Sequence, residues 1–260
     1  MWNGRSLSLV MATYREKDSI RVVIEDFIAT RLVDEIIVVD NNAESGTREA
    51  LAPLRFENFR ILHEPRQGYG HALQTGLKAA TCEYVVTIEP DGTYVGRDLE
   101  RFLVLAASFP VVFGSRTIEK TINTEWGFWR REVNVLYGLL IHLLFNTNMI
   151  TDIGCTYKLM RRETVRALEP VWRHGSSLFA TELLLLVIAK GIPFIEIPVT
   201  FKHRVGPSAV VSSRWQLCRL AMLGLWQILE MWFVWATGRV APNAAPDTSG
   251  SDNTPEFRRS

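Results

Sequence analysis

A chain of 260 residues is long enough for one sizeable core with appendages, and 47% hydrophobic against 22% charged residues is an ordinary globular balance. With 17 glycines and 11 prolines the composition excludes a fibrous or wholly disordered chain. A formal net charge of +1 excludes the overall basic field of a protein that coats nucleic acid, so no nucleic-acid partner is expected and any electrostatic targeting is local.

From the N-terminus, Leu7-Ser8-Leu9-Val10-Met11-Ala12 reads as a buried strand. The run is too short for a signal-peptide core and meets charges at once, so the catalytic part is expected in the cytoplasm. Ile20, Val23, Ile24, Phe27 and Ile28 follow with helical spacing. Residues 35–40 (EIIVVD), 60–63 and 84–88 are further strands, and 111–113 a fifth. Helical patterns at 47–54, 70–80 and 98–108 fill the gaps. This alternation predicts an α/β domain with a mostly parallel sheet. Cys82, Cys155 and Cys218 are odd in number and form no C-x-x-C pair, which supports neither a disulfide framework nor a zinc site and fits a reducing compartment.

In such a sheet, ligands sit beyond the carboxyl ends of the strands. Here those ends carry Thr13-Tyr14-Arg15-Glu16, Asp40, Glu89-Pro90-Asp91 and Ser115-Arg116, and one polar site could collect all four. Any one acid could instead cap the next helix, but Pro90 between two acids disfavours capping by both. Gly68-Tyr69-Gly70-His71-Ala72-Leu73 follows the third strand rather than the first and ends in Leu73, which argues against a nicotinamide or flavin site. No G-x-x-x-x-G-K-[ST] loop occurs, so phosphates would be held by a metal and arginines.

The second half changes character. Trp126-Gly127-Phe128-Trp129-Arg130-Arg131 leads into 13 mostly apolar residues, 133–145, too few to span a bilayer. They form either a helix in a membrane interface or a buried core helix. Residues 217–236 are mostly apolar, yet Gln216, Arg219, Gln227 and Glu230 fall within an arc of about 80° on a helix. Trp215, Trp226, Trp232 and Trp235 belong to the same segment, as in helices lying between headgroups and acyl chains. Glu230 at a bilayer centre would cost about 2.5–3.5 kcal/mol, which favours a helix in the membrane plane over a spanning one, with packing on the domain or a second subunit as the alternative. The expected organisation is a catalytic domain over 1–213, an amphipathic membrane helix over 214–237 and a disordered tail over 238–260.

Taken together, the motifs resemble family 2 glycosyltransferases, and among them the polyprenyl-phosphate glycosyltransferases of the dolichol-phosphate mannose synthase type. Ala12-Thr13-Tyr14-Arg15-Glu16 is similar to the opening nucleotide-binding motif, the stretch from Val38 to Thr47 to V-V-D-D-x-S-x-D-G-T, and Gly68-Tyr69-Gly70-His71-Ala72 to G-x-G-x-A. Glu89-Pro90-Asp91 takes the place of D-x-D, and Gly114-Ser115-Arg116, the stretch from Asp152 to Leu159, and Arg204-Val205-Gly206-Pro207-Ser208 follow in order. Asn41 replaces an acid, Glu89 replaces Asp, and Thr93 stands where Gln is common.

The resemblance implies a nucleotide-diphospho-sugar transferase fold, an open twisted sheet with helices on both faces, followed by a C-terminal amphipathic interfacial helix. It implies a nucleoside-diphosphate sugar as donor, bound by Thr13, Tyr14, Glu16, Asp40, Asn42, Gly68, Gly70, Glu89, Pro90 and Asp91. Glu89 and Asp91 would hold Mg²⁺ or Mn²⁺, hard cations that prefer carboxylate oxygen. A polyprenyl phosphate would be the acceptor, met by Arg116, Arg130, Arg131, Arg204 and Ser208, with Asp91, Arg116 and Arg204 the catalytic residues. The protein would sit peripherally on the inner membrane face, and a homo-oligomer is left open. The rivals are a soluble transferase acting on a hydroxyl, with Glu182 as general base, and a non-catalytic nucleotide-sugar binder at the membrane.

Overall fold

The structure is a computed structural model that describes residues 2–118, 128–206 and 214–240, without the side chains of 128–130, 214, 216 and 217. Trp126, Trp129, Arg130 and Ser208 and the tail beyond 240 therefore lie outside what is described.

Seven strands form one mixed sheet: β1 (Leu7–Thr13), β2 (Glu35–Asp40), β3 (Phe59–His63), β4 (Tyr84–Ile88), β5 (Val111–Ser115), β6 (Lys158–Arg161) and β7 (Phe194–Pro198), in the order β3-β2-β1-β4-β6-β5-β7. β1 is buried along all seven residues, as a central strand covered on both faces must be. It pairs in parallel with β2 on one side and β4 on the other. The chain builds outward from β1 through β2 to β3, then returns to place β4 on β1's free edge. That reversal opens a crevice beyond the carboxyl ends of β1 and β4, where ligands bind in open α/β sheets.

Even and odd residues of the strands face different cores. Val10, Ile37, Val39 and Val85 point to a layer that includes α3 (Tyr69–Ala79) and α7 (Phe179–Ala189). Leu9, Met11, Val38 and Val86 point to α1 (Lys17–Ala29) and α4 (Leu99–Ala106), where Phe102 stacks on Tyr157 at 4.3 Å. Burial of each such aliphatic side chain contributes about 1.5–3 kcal/mol. Short helices α2 (Thr47–Leu51) and α6 (Arg162–Leu168) complete the crossovers.

β6 and β7 depart from the sequence expectation, which ended the sheet at 111–113. β6 is only four residues long and runs antiparallel between β4 and β5. It contains Lys158, which is 1% exposed, lies over the Phe113 ring at 5.0 Å and donates to the Cys155 carbonyl. A buried lysine satisfied by a carbonyl and an aromatic face disguises a core strand as a polar one. β7 ends in Pro198 on the sheet's edge, where the lack of an N–H is tolerated.

The last two long helices, α5 (Phe128–Phe145) and α8 (Arg214–Ala236), pack on each other and on the α7 side of the sheet. Tyr137 donates to the carbonyl of Ala221 at 2.6 Å, and Phe145 meets Trp235 with ring centroids 5.4 Å apart. The polar stripe of α8 turns partly toward the domain, since buried Gln227 donates to the Leu178 carbonyl at 3.1 Å and Glu230 pairs with Arg173. Ile228, Met231 and Val234 are buried beside it, whereas Trp215, Met222, Trp226 and Phe233 are 56–76% exposed. These four, with exposed Leu229, lie within an arc of roughly 60° at ~100° per residue. α5 is likewise two-sided, with Ile141 and Phe145 buried and Leu136, Leu139 and Leu143 exposed. Each of these helices packs on the domain with one face and leaves an apolar face uncovered. No helix among the described residues is long and apolar enough to cross a membrane.

Gly138 allows α5 to approach the chain at 150, because a Cβ there would lie 1.6 Å from the Ile150 carbonyl oxygen. Alanine would gain about 1 kcal/mol of helix propensity, but the clash is with backbone and cannot be relieved by a rotamer change. Gly138→Ala is therefore expected to be destabilising by a net ~1–3 kcal/mol, read as a thermal midpoint several degrees below that of the parent.

Candidate active site

At the end of β1 the backbone folds back on its own carboxylate. Glu16 Oε2 accepts the N–H groups of Tyr14 and Arg15 at 2.8 and 2.9 Å and the hydroxyl of Thr13 at 3.3 Å. This leaves Oε1 for Nη2 of Arg204 at 3.0 Å. At the end of β4, Asp91 Oδ1 accepts the Thr93 N–H at 3.0 Å and its hydroxyl at 2.6 Å, and Oδ2 accepts Nη1 of Arg204 at 2.8 Å. Thr93, the position where glutamine is common in similar sequences, therefore orients the aspartate. The Pro90 carbonyl accepts the Ser19 hydroxyl at 2.7 Å, which ties this loop to α1.

Asp91 is 1% and Glu16 8% exposed. Glu89 stands half-buried beside them, and its carboxyl is pushed up to about 7, by burial first and then by the charge of Asp91, against the pull of Arg116 and Arg204. Tyr69, which the sequence reading passed over between two glycines, has a buried hydroxyl with no hydrogen-bond partner. Burial and the nearby charges of Glu89 and Asp91 push its pKa up. No signal in the sequence separates such a tyrosine from a core residue.

Arg116, at the end of β5, is gripped by Asp152 through Nε at 2.7 Å and Nη2 at 2.8 Å and lies over the Phe201 ring at 5.4 Å. Asp152 is fully buried. Its own N–H and that of Thr151 donate to Glu196 of β7, each at 2.9 Å, and burial pushes the Glu196 carboxyl up to about 7. Sequence reasoning singled out the stretch beginning at Asp152 without assigning this residue a task. It sets the direction of Arg116.

At the end of β2, Asp40 accepts the Ala43 N–H at 2.9 Å and pairs with Arg48 at 2.9 Å. Asn41, in place of an acid, donates to the carbonyls of Glu64 and Arg66, each at 2.8 Å, and accepts the Gly68 N–H at 2.8 Å. An aspartate could not make the two donations, so the replacement clasps the loops after β2 and β3 together. Asn42 adopts φ +56° and donates to the Pro65 carbonyl at 3.2 Å.

Other residues singled out in the sequence are engaged within the protein itself. A Cβ on Gly68 would lie 2.2 Å from the Gly175 carbonyl and one on Gly70 2.6 Å from that of His174. Internal packing by itself requires glycine at both positions. Glu182 is fully buried at the start of α7 and accepts the N–H groups of Arg173 and His174 at 2.8 and 3.0 Å, with the His174 ring at 3.2 Å. It has no access to an acceptor and is not placed as a general base. Arg204, expected at the acceptor, pairs with the two acids assigned to the donor. Arg131 donates to the Thr117 carbonyl at 3.2 Å, next to Arg116, and pairs with Glu132. Among the described residues no group of three or more His, Cys, Asp or Glu could enclose a metal, so a cation here would take part of its shell from substrate or water.

The chain and its fold are similar to known proteins. Residues 8–168 match the family model described as Glycosyl transferase family 2. The dolichyl-phosphate hexose transferase of Haloferax volcanii is 29% identical over 204 residues, 77% of this chain and 84% of that protein. An uncharacterized glycosyltransferase of Mycobacterium tuberculosis is 26% identical over 228 residues, 87% and 99% of the two chains. Among solved structures, glucosyl-3-phosphoglycerate synthase from M. tuberculosis in complex with phosphoglyceric acid superposes with a TM-score of 0.66 at 17% identity, over 94% of this chain and 82% of that one. The same synthase with Mn²⁺, UDP-glucose and phosphoglyceric acid gives 0.65 at 19% identity, over 89% and 81%. These likenesses establish an open mixed sheet with helices as a glycosyltransferase fold.

Because Glu182 secures two backbone N–H groups rather than an acceptor, Glu182→Gln is expected to lose about 1–3 kcal/mol of stability. Turnover per folded molecule should stay within a few-fold of the parent. Parallel melts and initial rates measure both quantities, and a rate loss of 10²-fold or more at an unchanged melt would restore the general base.

Proposed function

The chain belongs to glycosyltransferase family 2, and from that membership we propose that it transfers a sugar, with inversion, from a nucleoside-diphosphate sugar to a polyprenyl phosphate at the cytoplasmic face of a membrane. The observation that carries this reading is the meeting of Glu16, Glu89, Asp91, Arg116 and Arg204 at the crevice between β1 and β4. Glu89 and Asp91 are the residues that would hold Mg²⁺ or Mn²⁺. They are hard oxygen donors, of the kind these cations prefer. A bound divalent cation would neutralise the charge developing on the departing nucleoside diphosphate.

The remaining work falls to the chain itself. Thr13, Tyr14, Glu16, Asp40 and Asn42 line the nucleoside end, and Arg116, held by Asp152, faces the diphosphate. An oxygen of the acceptor phosphate bonds to the anomeric carbon as the bond from that carbon to the diphosphate oxygen breaks, and the electron pair leaves with the nucleoside diphosphate. A phosphate monoester with a second pKa near 6, roughly that of phosphoamino acids, is already ionised at neutral pH. No proton has to be removed, which suits a site where Glu182 is walled off. Arginines bind such a phosphate as planar forks, and Arg116 and Arg131 lie together where α5 approaches β5.

The exposed apolar faces of α5 and α8 support a lipid acceptor. Trp215, Trp226 and Phe233 are a poor surface to leave in water but suit the level between headgroups and acyl chains. The dolichyl-phosphate relative points the same way. The phosphoglyceric acid bound by the structural neighbour shows that a phosphorylated acceptor need not be a lipid in that protein.

Incubation with labelled nucleotide sugars, Mn²⁺ and a polyprenyl phosphate, followed by solvent extraction, is expected to put label in the lipid phase. Asp91→Asn should lower that transfer by about 10²-fold or more, the scale of a lost electrostatic contact to the leaving group. Label appearing only on a small soluble phosphate ester would overturn the lipid acceptor while keeping the transferase.

Co-sedimentation with anionic liposomes is expected for the parent chain and should fall at least tenfold for the double variant Trp226→Glu, Phe233→Glu. Equal pelleting of the two chains would remove α8 from the membrane contact.

A further inference from the structure

Arg204 reaches across the cleft and joins two acids from different strands: Nη1 meets Asp91 Oδ2 at 2.8 Å and Nη2 meets Glu16 Oε1 at 3.0 Å. Its Nε is buried without a hydrogen-bond partner among the described residues. The fork is thus committed to the two carboxylates and to no neighbouring backbone. The segment that carries it is laced to the sheet end: Val199 N–H donates to the Ser115 carbonyl at 2.9 Å, Lys202 N–H to Thr93 at 2.8 Å and Val205 N–H to Asp91 at 2.9 Å. Two of these bonds land on the loop that carries Asp91, so the position of Arg204 and the conformation of that loop are set together.

We propose that Arg204 is a built-in counter-cation which occupies the donor site in the empty enzyme and must be displaced before metal and nucleotide bind, becoming free for the acceptor phosphate only then. This rests on the donor reading given above. Two nearly buried carboxylates cannot be left without positive charge, and one guanidinium now serves both. The same fork blocks Asp91, assigned to the cation, and Glu16, assigned to the nucleoside. A divalent cation at Asp91 and the Arg204 fork at Asp91 Oδ2 therefore exclude each other. The consequence is order: the acceptor subsite that Arg204 would provide does not exist until the donor side is filled. An enzyme arranged this way cannot trap a lipid phosphate unproductively against an empty donor site.

The test is Mn²⁺ binding without donor or acceptor, followed through the spin-resonance signal of the free ion. Arg204→Gln keeps a polar side chain but removes the competing charge, and it is expected to bind Mn²⁺ about ten- to a hundredfold more tightly than the parent. Arg204→Lys, which keeps the charge without the fork, should fall between them. The same Arg204→Gln chain should show a raised KM for the polyprenyl phosphate. In the parent, Mn²⁺ alone should accelerate amide exchange at Lys202 and Val205, whose N–H groups now bond the Asp91 loop. Mn²⁺ affinity that is equal or weaker in a folded Arg204→Gln chain overturns the proposal and leaves the donor reading standing. Unchanged exchange at saturating Mn²⁺ also overturns it. Absence of Mn²⁺ binding in every variant overturns the proposal together with the metal assignment on which it rests. Thermal melts of both variants establish that folded chains are compared.

Discussion

Three carboxylates share a crevice that little water reaches, and that crowding of like charge governs the rest of the site. Two unit charges about 4 Å apart interact on the order of 4 kcal/mol at the effective dielectric of a protein edge, several times the net worth of a hydrogen bond. Glu16, Glu89 and Asp91 can therefore coexist only by recruiting cations or by holding a proton. The structure does both: Arg204 bridges two of them, and Glu89 is pushed up to about 7. The arrangement is costly for stability, and under the proposed function a bound cation would offset that cost.

Much of this was legible beforehand. Short continuous apolar runs marked β1, β2 and β4, and the acids at or just beyond their ends pointed to one polar edge, because residues at strand ends inherit their position from the sheet. The antiparallel β6 was not legible, since a four-residue strand carrying a buried lysine gives no apolar signal. Nor was the contact between Arg204 and Glu16, 188 residues apart in sequence. The packing demand on Gly68 and Gly70 was not legible for a related reason. A glycine demanded by a neighbouring loop and one demanded by a ligand look the same in a string of letters, and only the approach of residues 174–175 separates them. Asp152 and Glu196 lie a layer behind the arginine they orient, where no spacing rule reaches.

The end of the chain follows a different logic from the catalytic core. α8 does not divide into a polar outside and an apolar inside. Gln227 and Glu230 are spent on the loop before α7 and on Arg173, while Trp215, Trp226 and Phe233 face outward. That inversion fixes the roll of the helix about its axis. Turning it to hide the tryptophans would strand Gln227 and break its bond to Leu178, so the outward apolar face is held there by polar contacts on the inside. The outward apolar surface is consequently part of the folded domain and not an independent appendage.

The three thiols fall unevenly across this architecture. Cys82 and Cys155 are buried, the latter with its thiol pushed up to about 11 by its surroundings, whereas Cys218 is exposed near the start of α8. Alkylating reagents need an accessible thiolate, so the native sequence already discriminates among its own cysteines. A fluorophore or spin label added under mild conditions would settle on α8 alone and spare the interior. The chain carries a single-site reporter on the helix that faces outward, with no substitution required to install it.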